Sequence, residues 1–356
     1  MANSVKNRNF ADMNERINWI DWGKAIAVVG IVFIHLPQSQ EWFYYRYLQA
    51  CTITIFFFIS GYLKKDCGSN RENWRKYWNS LILPYLLYNA IVYPYWFVRF
   101  YLQNGGMPDF MEALKPVIGA LLFEHESTFA EPLNGPLWYL PAILFMHVTI
   151  DLCRKTHYLH QIMIGLCIVS FFLYAANIHW QFMHNMTPMG IFRRLPYYYI
   201  GYVMGQKKLF QSVHPERDAL ACICFLAVSL QFFYWHLHED KTLTHTLLFY
   251  PVNIGFLFST LYLCKAFNHY TPKFITNISI GTLVIISLHY PIIGAINYSI
   301  EHCTKLNTPI GYTWYEALPL ALLIIVILYP IIYFGKNNIP ILIGNKQLQI
   351  EFKHRN

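Results

Sequence analysis

The apolar residues of this chain fall into blocks of about 17–22, separated by short polar connections. Nothing else in the sequence limits the fold as strongly. An α-helix needs roughly 20 residues to cross about 30 Å of hydrocarbon, and inside lipid it satisfies its own backbone groups. Composition agrees, with 55% hydrophobic and only 13% charged residues against about 25% charged in soluble domains. We read ten spans, approximately 20–37, 46–63, 80–101, 136–153, 160–178, 192–206, 219–237, 246–267, 277–298 and 314–334. The sixth is short and opens on Arg193 and Arg194. "PVIGALLF" at 116–123 is too short to span and reads as part of an outer loop. The expected fold is all-α, a polytopic integral membrane protein of about ten transmembrane helices. A membrane domain over 20–335 stands between an N-terminal segment, 1–19, and a basic tail, 336–356. The N-terminus lacks the pattern of a cleaved signal peptide.

Charge orients the bundle. With ten spans, both termini and every second loop share one side. That side collects Lys6, Arg8 and Arg16, then Lys64, Lys65, Arg71, Arg75 and Lys76, then Arg154, Lys155, Lys207, Lys208 and Arg217. It ends with Lys265, Lys273, Lys336, Lys346, Lys353 and Arg355. The other side holds most of the carboxylates, among them Asp109, Glu112, Glu124, Glu126, Glu131, Glu239, Asp240 and Glu301. Basic loops mark the cytoplasmic face, so both termini are expected there. The net charge of +8 then answers to anionic lipid headgroups and calls for no nucleic-acid partner. Most of the eight cysteines fall inside apolar blocks with no paired spacing, so we expect buried small hydrophobes and no metal site.

The first span, "INWIDWGKAIAVVGIVFIHLPQ" at 17–38, carries two ionisable residues on one face. Lys24 and His35 are eleven positions apart, which is 20° past three full helical turns and about 16 Å along the axis. Asp21, three residues before Lys24, is close enough to pair with it. One reading has Lys24 snorkelling inward and His35 sitting among headgroups. The other places both on a polar cavity, since ionisable residues within spans usually line a pathway or site.

A basic residue, ten residues and a histidine in the first span resembles the pattern of the membrane acyltransferase-3 family. Further stretches match in family order: "IFFFISGYLKK" at 55–65, "RENWRKYWNSLILPYLLY" at 71–88, "NGPLWYLPAILF" at 134–145, "LPYYYIGYVMG" at 195–205 and "SLHYPI" at 287–292. Asp21 before the basic residue is similar to the fucose 4-O-acetylase-like branch. The resemblance implies a multi-pass protein of the inner (cytoplasmic) membrane that moves acetyl from cytoplasmic acetyl-CoA to a hydroxyl of a cell-surface or lipid-linked glycan.

On that reading the anionic head of acetyl-CoA needs cytoplasmic cations. Arg71, Arg75, Lys76 and, deeper in the membrane, Lys24 supply them. A sugar hydroxyl attacks well only as its proton is withdrawn, and His35 is the expected general base. It could instead carry the acetyl group itself. Trp138 and Tyr139 are candidate faces for a sugar ring, and Arg193 and Arg194 candidate grips for a phosphate of the acceptor. Asp21 and His289 are expected to support the site. Ser60 with Gly61 reads as close helix packing and not as a nucleophile. The alternative to an enzyme is a transporter or flippase of glycans or small anions, which would share the spans and the intramembrane charge but use no acetyl-CoA.

Overall fold

The apolar blocks become helices. The computed structural model describes residues 17–39, 42–65, 69–123, 133–175, 188–210, 212, 214–239, 242–304 and 310–344. Lys6, Arg8, Arg16, Glu124, His125, Glu126, Glu131, Asp240, Lys346, Lys353 and Arg355 lie outside the described residues. Among the described residues the only β pairing is one isolated bridge, Gln38 to Tyr312.

Helix α1, Asn18–His35, and α2, Phe43–Tyr62, run antiparallel. Trp19 meets Tyr62 edge-on at 5.1 Å near one end, and Tyr45 donates to the Ile34 carbonyl at 3.0 Å near the other. Helix α3, Asn70–Tyr77, starts at a Ser69/Glu72 capping box. It passes through a π-helical turn, Trp78–Ile82, into α4, Leu83–Asn104, making one 35-residue helical run. "PVIGALLF" closes a short helix, α5, Phe110–Leu121. There follow a 3-10 turn, Gly135–Trp138, and helices α6, Tyr139–Cys153, α7, Leu159–Ala175, and α8, Pro188–Gln206. Next come α9, Pro215–Leu237, and α10, Thr242–Ala266. Then α11, Lys273–Ile280, α12, Thr282–Thr304, and α13, Trp314–Asn338, complete the helices.

Each of the ten predicted spans has a helix. Six helical runs are long and apolar enough to cross a membrane by length and composition: Asn70–Asn104, Gly135–Cys153, Pro215–Leu237, Leu243–Ala266, Thr282–Cys303 and Trp314–Asn338. Helices α1, α2, α7 and α8 are shorter or more polar. Helix α1 is central: it packs against α2, α10, α11, α12 and α13, and Ala27, Val28 and Val32 are fully buried. A helix enclosed by protein needs less apolar character than one facing lipid, which is how it can carry Asp21, Lys24 and His35. The ninth span differs in detail. The expected single helix over 277–298 is two, broken at Gly281, where a Cβ would collide with Ile332 of α13.

Glycine also sets the closest crossing in the bundle. A Cβ at Gly61 would strike the Tyr198 carbonyl, at Gly201 the Phe58 carbonyl, and at Gly205 the Tyr62 carbonyl. Helices α2 and α8 therefore run in parallel register at backbone contact, the arrangement small residues permit in membranes. This agrees with reading Ser60-Gly61 as packing. Gly201→Ala should force the helices apart and destabilise the protein by about 1–3 kcal/mol. A lowered thermal midpoint in detergent is the expected result, and Gly165→Ala, mid-helix where a Cβ meets nothing, should hold or raise the midpoint.

Candidate active site

Pro37 decides where the first helix stops. The residue before a proline avoids the helical region, and Leu36 is extended (φ −71°, ψ 136°), so α1 ends on His35. The chain beyond is pinned: Gln38 donates to the Phe33 carbonyl at 2.7 Å, and the Tyr312 N–H donates to the Pro37 carbonyl at 2.7 Å. His35 is thereby held at a helix C-terminus, where the backbone dipole favours the positive charge that a base acquires.

His289, the predicted supporting residue, is the partner of His35. It sits fully buried on α12, with its Nε2 3.0 Å from Nδ1 of His35. Its own Nδ1 lies 2.8 Å from the Ile285 carbonyl one turn back. A carbonyl only accepts, so Nδ1 of His289 carries the hydrogen. In a neutral imidazole the other nitrogen is then bare, and Nε2 of His289 must accept from His35 Nδ1–H. The same rule leaves Nε2 of His35 as the lone pair. The His35 ring also stands within hydrogen-bond reach of the Ile31 carbonyl one turn back, and the side chain is partly buried. Two hydrogen bonds thus leave Nε2 as the basic nitrogen of His35. Tyr290 stands edge-on to the His35 ring at 6.0 Å.

At the other end of α1, Asp21 is buried and accepts from Ser279 of α11 at 2.6 Å. Lys24 is partly buried on the same helix. Arg71, Arg75 and Lys76 are exposed on α3. Neighbouring Lys64 is not available in the same way. It is buried and donates to Asp151 at 2.7 Å and to Tyr77 at 2.6 Å, while Tyr77 donates to the other Asp151 oxygen at 2.5 Å. Tyr77 also stacks on His147, which shares a 2.6 Å hydrogen bond with Tyr198. This network ties α2, α3, α6 and α8 together with every charge partnered, as a buried pair requires.

Trp138 and Tyr139 separate in role. The Tyr139 hydroxyl bonds Ser60 at 2.9 Å, which anchors it to α2. Trp138 instead lies under the Arg194 guanidinium at 5.2 Å. Arg193 lies over Phe249 at 3.8 Å and Tyr174 at 4.7 Å.

Several residues in this region went unmarked in the sequence reading. Asp151 is a carboxylate near the end of an apolar block, a placement that itself signals a partner. Asn134 donates to the Ser287 carbonyl at 2.7 Å, joining the turn before Trp138 to the helix of His289. Its Oδ1 and the Ser287 hydroxyl are buried without hydrogen-bond partners. Asn134 and Ser287 each open a stretch that resembles the family pattern, but only the fold brings the two together.

Comparison with known proteins gives one match. The family model described as an acyltransferase domain matches residues 17–334, nearly the whole chain. No curated protein and no solved structure matches it.

Proposed function

Because the chain belongs to the acyltransferase-3 family and is a multi-pass membrane protein, we propose that it moves acetyl from cytoplasmic acetyl-CoA to a hydroxyl of a cell-surface or lipid-linked glycan at the inner membrane. His35 is the general base. The observation that carries this reading is the bare Nε2 of His35, set by the His289–Ile285 hydrogen-bond chain.

The reaction then runs in two steps. The acceptor oxygen attacks the thioester carbonyl carbon as its proton passes to His35 Nε2, and the imidazolium is steadied by Nδ1–H donating to His289. The C–S bond breaks as the tetrahedral intermediate collapses, and the leaving thiolate takes the proton back from His35. Lys24, with the exposed Arg71, Arg75 and Lys76 on α3, supplies cations for the phosphates and polar arm of the donor. The about 16 Å between Lys24 and His35 suits a donor laid along α1 with its thioester toward the histidine. Trp138 offers a face to the sugar.

The test is transfer of radiolabel from acetyl-CoA to membrane-extracted glycan by purified protein. Lys24→Ala is expected to raise the KM for acetyl-CoA about tenfold, equivalent to about 1.4 kcal/mol, with kcat nearly unchanged, and Lys24→Arg to restore it. Wild-type protein that neither binds acetyl-CoA nor transfers label would sink the proposal in favour of transport.

A further inference from the structure

The buried pair Lys64–Asp151 takes no part in the histidine chemistry, yet it holds the short helix on which Arg71, Arg75 and Lys76 stand. Helix α3 has eight residues, too few to be stable alone. Arg71, Arg75 and Lys76 are exposed on it, and so is Trp74. Its buried side chains are Asn73 and Tyr77. Packing holds it loosely against α6: a gap of about 80 Å³ lies between them, lined by Asn73, Trp74, Tyr77, Asp151 and Lys155 among others. Continuation into α4 does not set its direction either. The π-helical turn Trp78–Ile82 interrupts the regular hydrogen-bond ladder, and Pro84, which has no N–H, stands at the start of α4.

Tyr77 is the side chain that fastens α3. Its ring stacks on His147 of α6 at 5.3 Å. Its hydroxyl accepts from Lys64 at 2.6 Å and donates to Asp151 at 2.5 Å. Both partners belong to the body of the bundle. Asp151 is in the last turn of α6, and Lys64 lies just beyond α2, where its carbonyl accepts from Gln206 of α8 at 3.3 Å. The Lys64 and Asp151 side chains are 2% and 14% exposed. A buried ion pair is weak evidence for stability, because apolar residues of similar volume often do as well. What this pair supplies is direction: a cation and a carboxylate fix both the accepting and the donating role of one hydroxyl. The same end of α2 meets the start of α1, with Trp19 edge-on to Tyr62 at 5.1 Å. The network therefore ties α3 to the half of α1 that carries Lys24.

We propose that Asp151 and Lys64, acting through the Tyr77 hydroxyl, are positioning residues for the acyl donor. The latch sets α3 so that Arg71, Arg75 and Lys76 serve with Lys24 as one anion site for the phosphorylated end of that donor. Cations held in place before binding spare the cost of ordering them afterwards. The inference rests on the acyl-transfer reading and deepens it, and it makes a distinction within the donor. Releasing the latch weakens the grip on the phosphates and leaves the reaction at His35 untouched, so KM rises while kcat stays. A donor that has the thioester but no phosphate loses nothing.

The test compares two donors. Full-length protein in phosphatidylcholine nanodiscs is assayed with acetyl-CoA and with acetyl-pantetheine, which carries the same thioester and no phosphate. Tyr77→Phe keeps the ring against His147 and the Lys64–Asp151 pair, and removes only the hydroxyl. It is expected to raise the KM for acetyl-CoA about tenfold, the effect of losing a hydrogen bond to a charged group. Its kcat should be nearly unchanged and its KM for acetyl-pantetheine unmoved. Lys64→Met combined with Asp151→Leu removes both charges at once, a replacement that buried pairs tolerate, and should give the same split. A KM raised alike for both donors would show general support of the fold and overturn the proposal. Wild-type kinetics with acetyl-CoA in both variants would overturn it as well, and would leave the acyl-transfer reading standing. Wild-type protein that neither binds acetyl-CoA nor transfers from either donor would overturn that reading and this inference with it.

Discussion

His35→Ala is expected to lower kcat by about 10²–10⁴-fold, the usual contribution of a positioned general base, with little change in the KM for acetyl-CoA. The substitution removes the lone pair that would accept the hydroxyl proton, and with it the cation stabilised at the end of α1. It should leave the fold intact. His35 is the last residue of its helix and only partly buried, and the pinning bonds of Gln38 and Tyr312 use backbone atoms of Phe33 and Pro37. Label transfer, acetyl-CoA binding and a thermal melt on the same preparation check all three statements. If the variant transfers label as well as wild type, His35 is structural.

His289→Ala is expected to lower kcat by about 10–10³-fold through His35. Without an acceptor at 3.0 Å from Nδ1, His35 is free to place its hydrogen on Nε2 and lose the productive lone pair. A wrong histidine tautomer alone is worth about 10⁴-fold in the serine proteases, and the partly accessible His35 should suffer less. His289 is fully buried, so alanine also leaves a cavity and lowers stability. His289→Gln separates the two effects. Its side-chain oxygen can accept from His35 Nδ1–H, and its amide can donate to the Ile285 carbonyl, so it should recover most of kcat. A purely structural histidine predicts that activity follows the melting temperature in both variants. Activity restored by glutamine at unequal stability would show positioning.

Much of the architecture was legible because lipid punishes exceptions. An unbonded backbone group or stray charge in hydrocarbon is so unfavourable that block length marked a helix at each of the ten predicted positions. The same severity made Lys24 and His35 conspicuous. The Gly281 break was not visible, because its cause is Ile332, 51 positions away on another helix. Lys64 read as one more basic residue at a boundary until Asp151 and Tyr77 were found against it. Arg193 and Arg194 stood out for lying where basic residues are scarce, but their aromatic clamp and its unpartnered donors involve the turn Gly135–Trp138, α7, α8 and α10.

From residue order alone, this chain is an all-α membrane protein of the acyltransferase kind, with a basic residue and a histidine on one face of its first helix. Those properties depend on helical periodicity and local hydrophobicity, which neighbouring residues determine. Which nitrogen of His35 is basic and which helix supplies its partner were decided only by the tertiary structure. Each depends on hydrogen-bond partners or packed walls drawn from helices distant in sequence, whose registers no local pattern encodes.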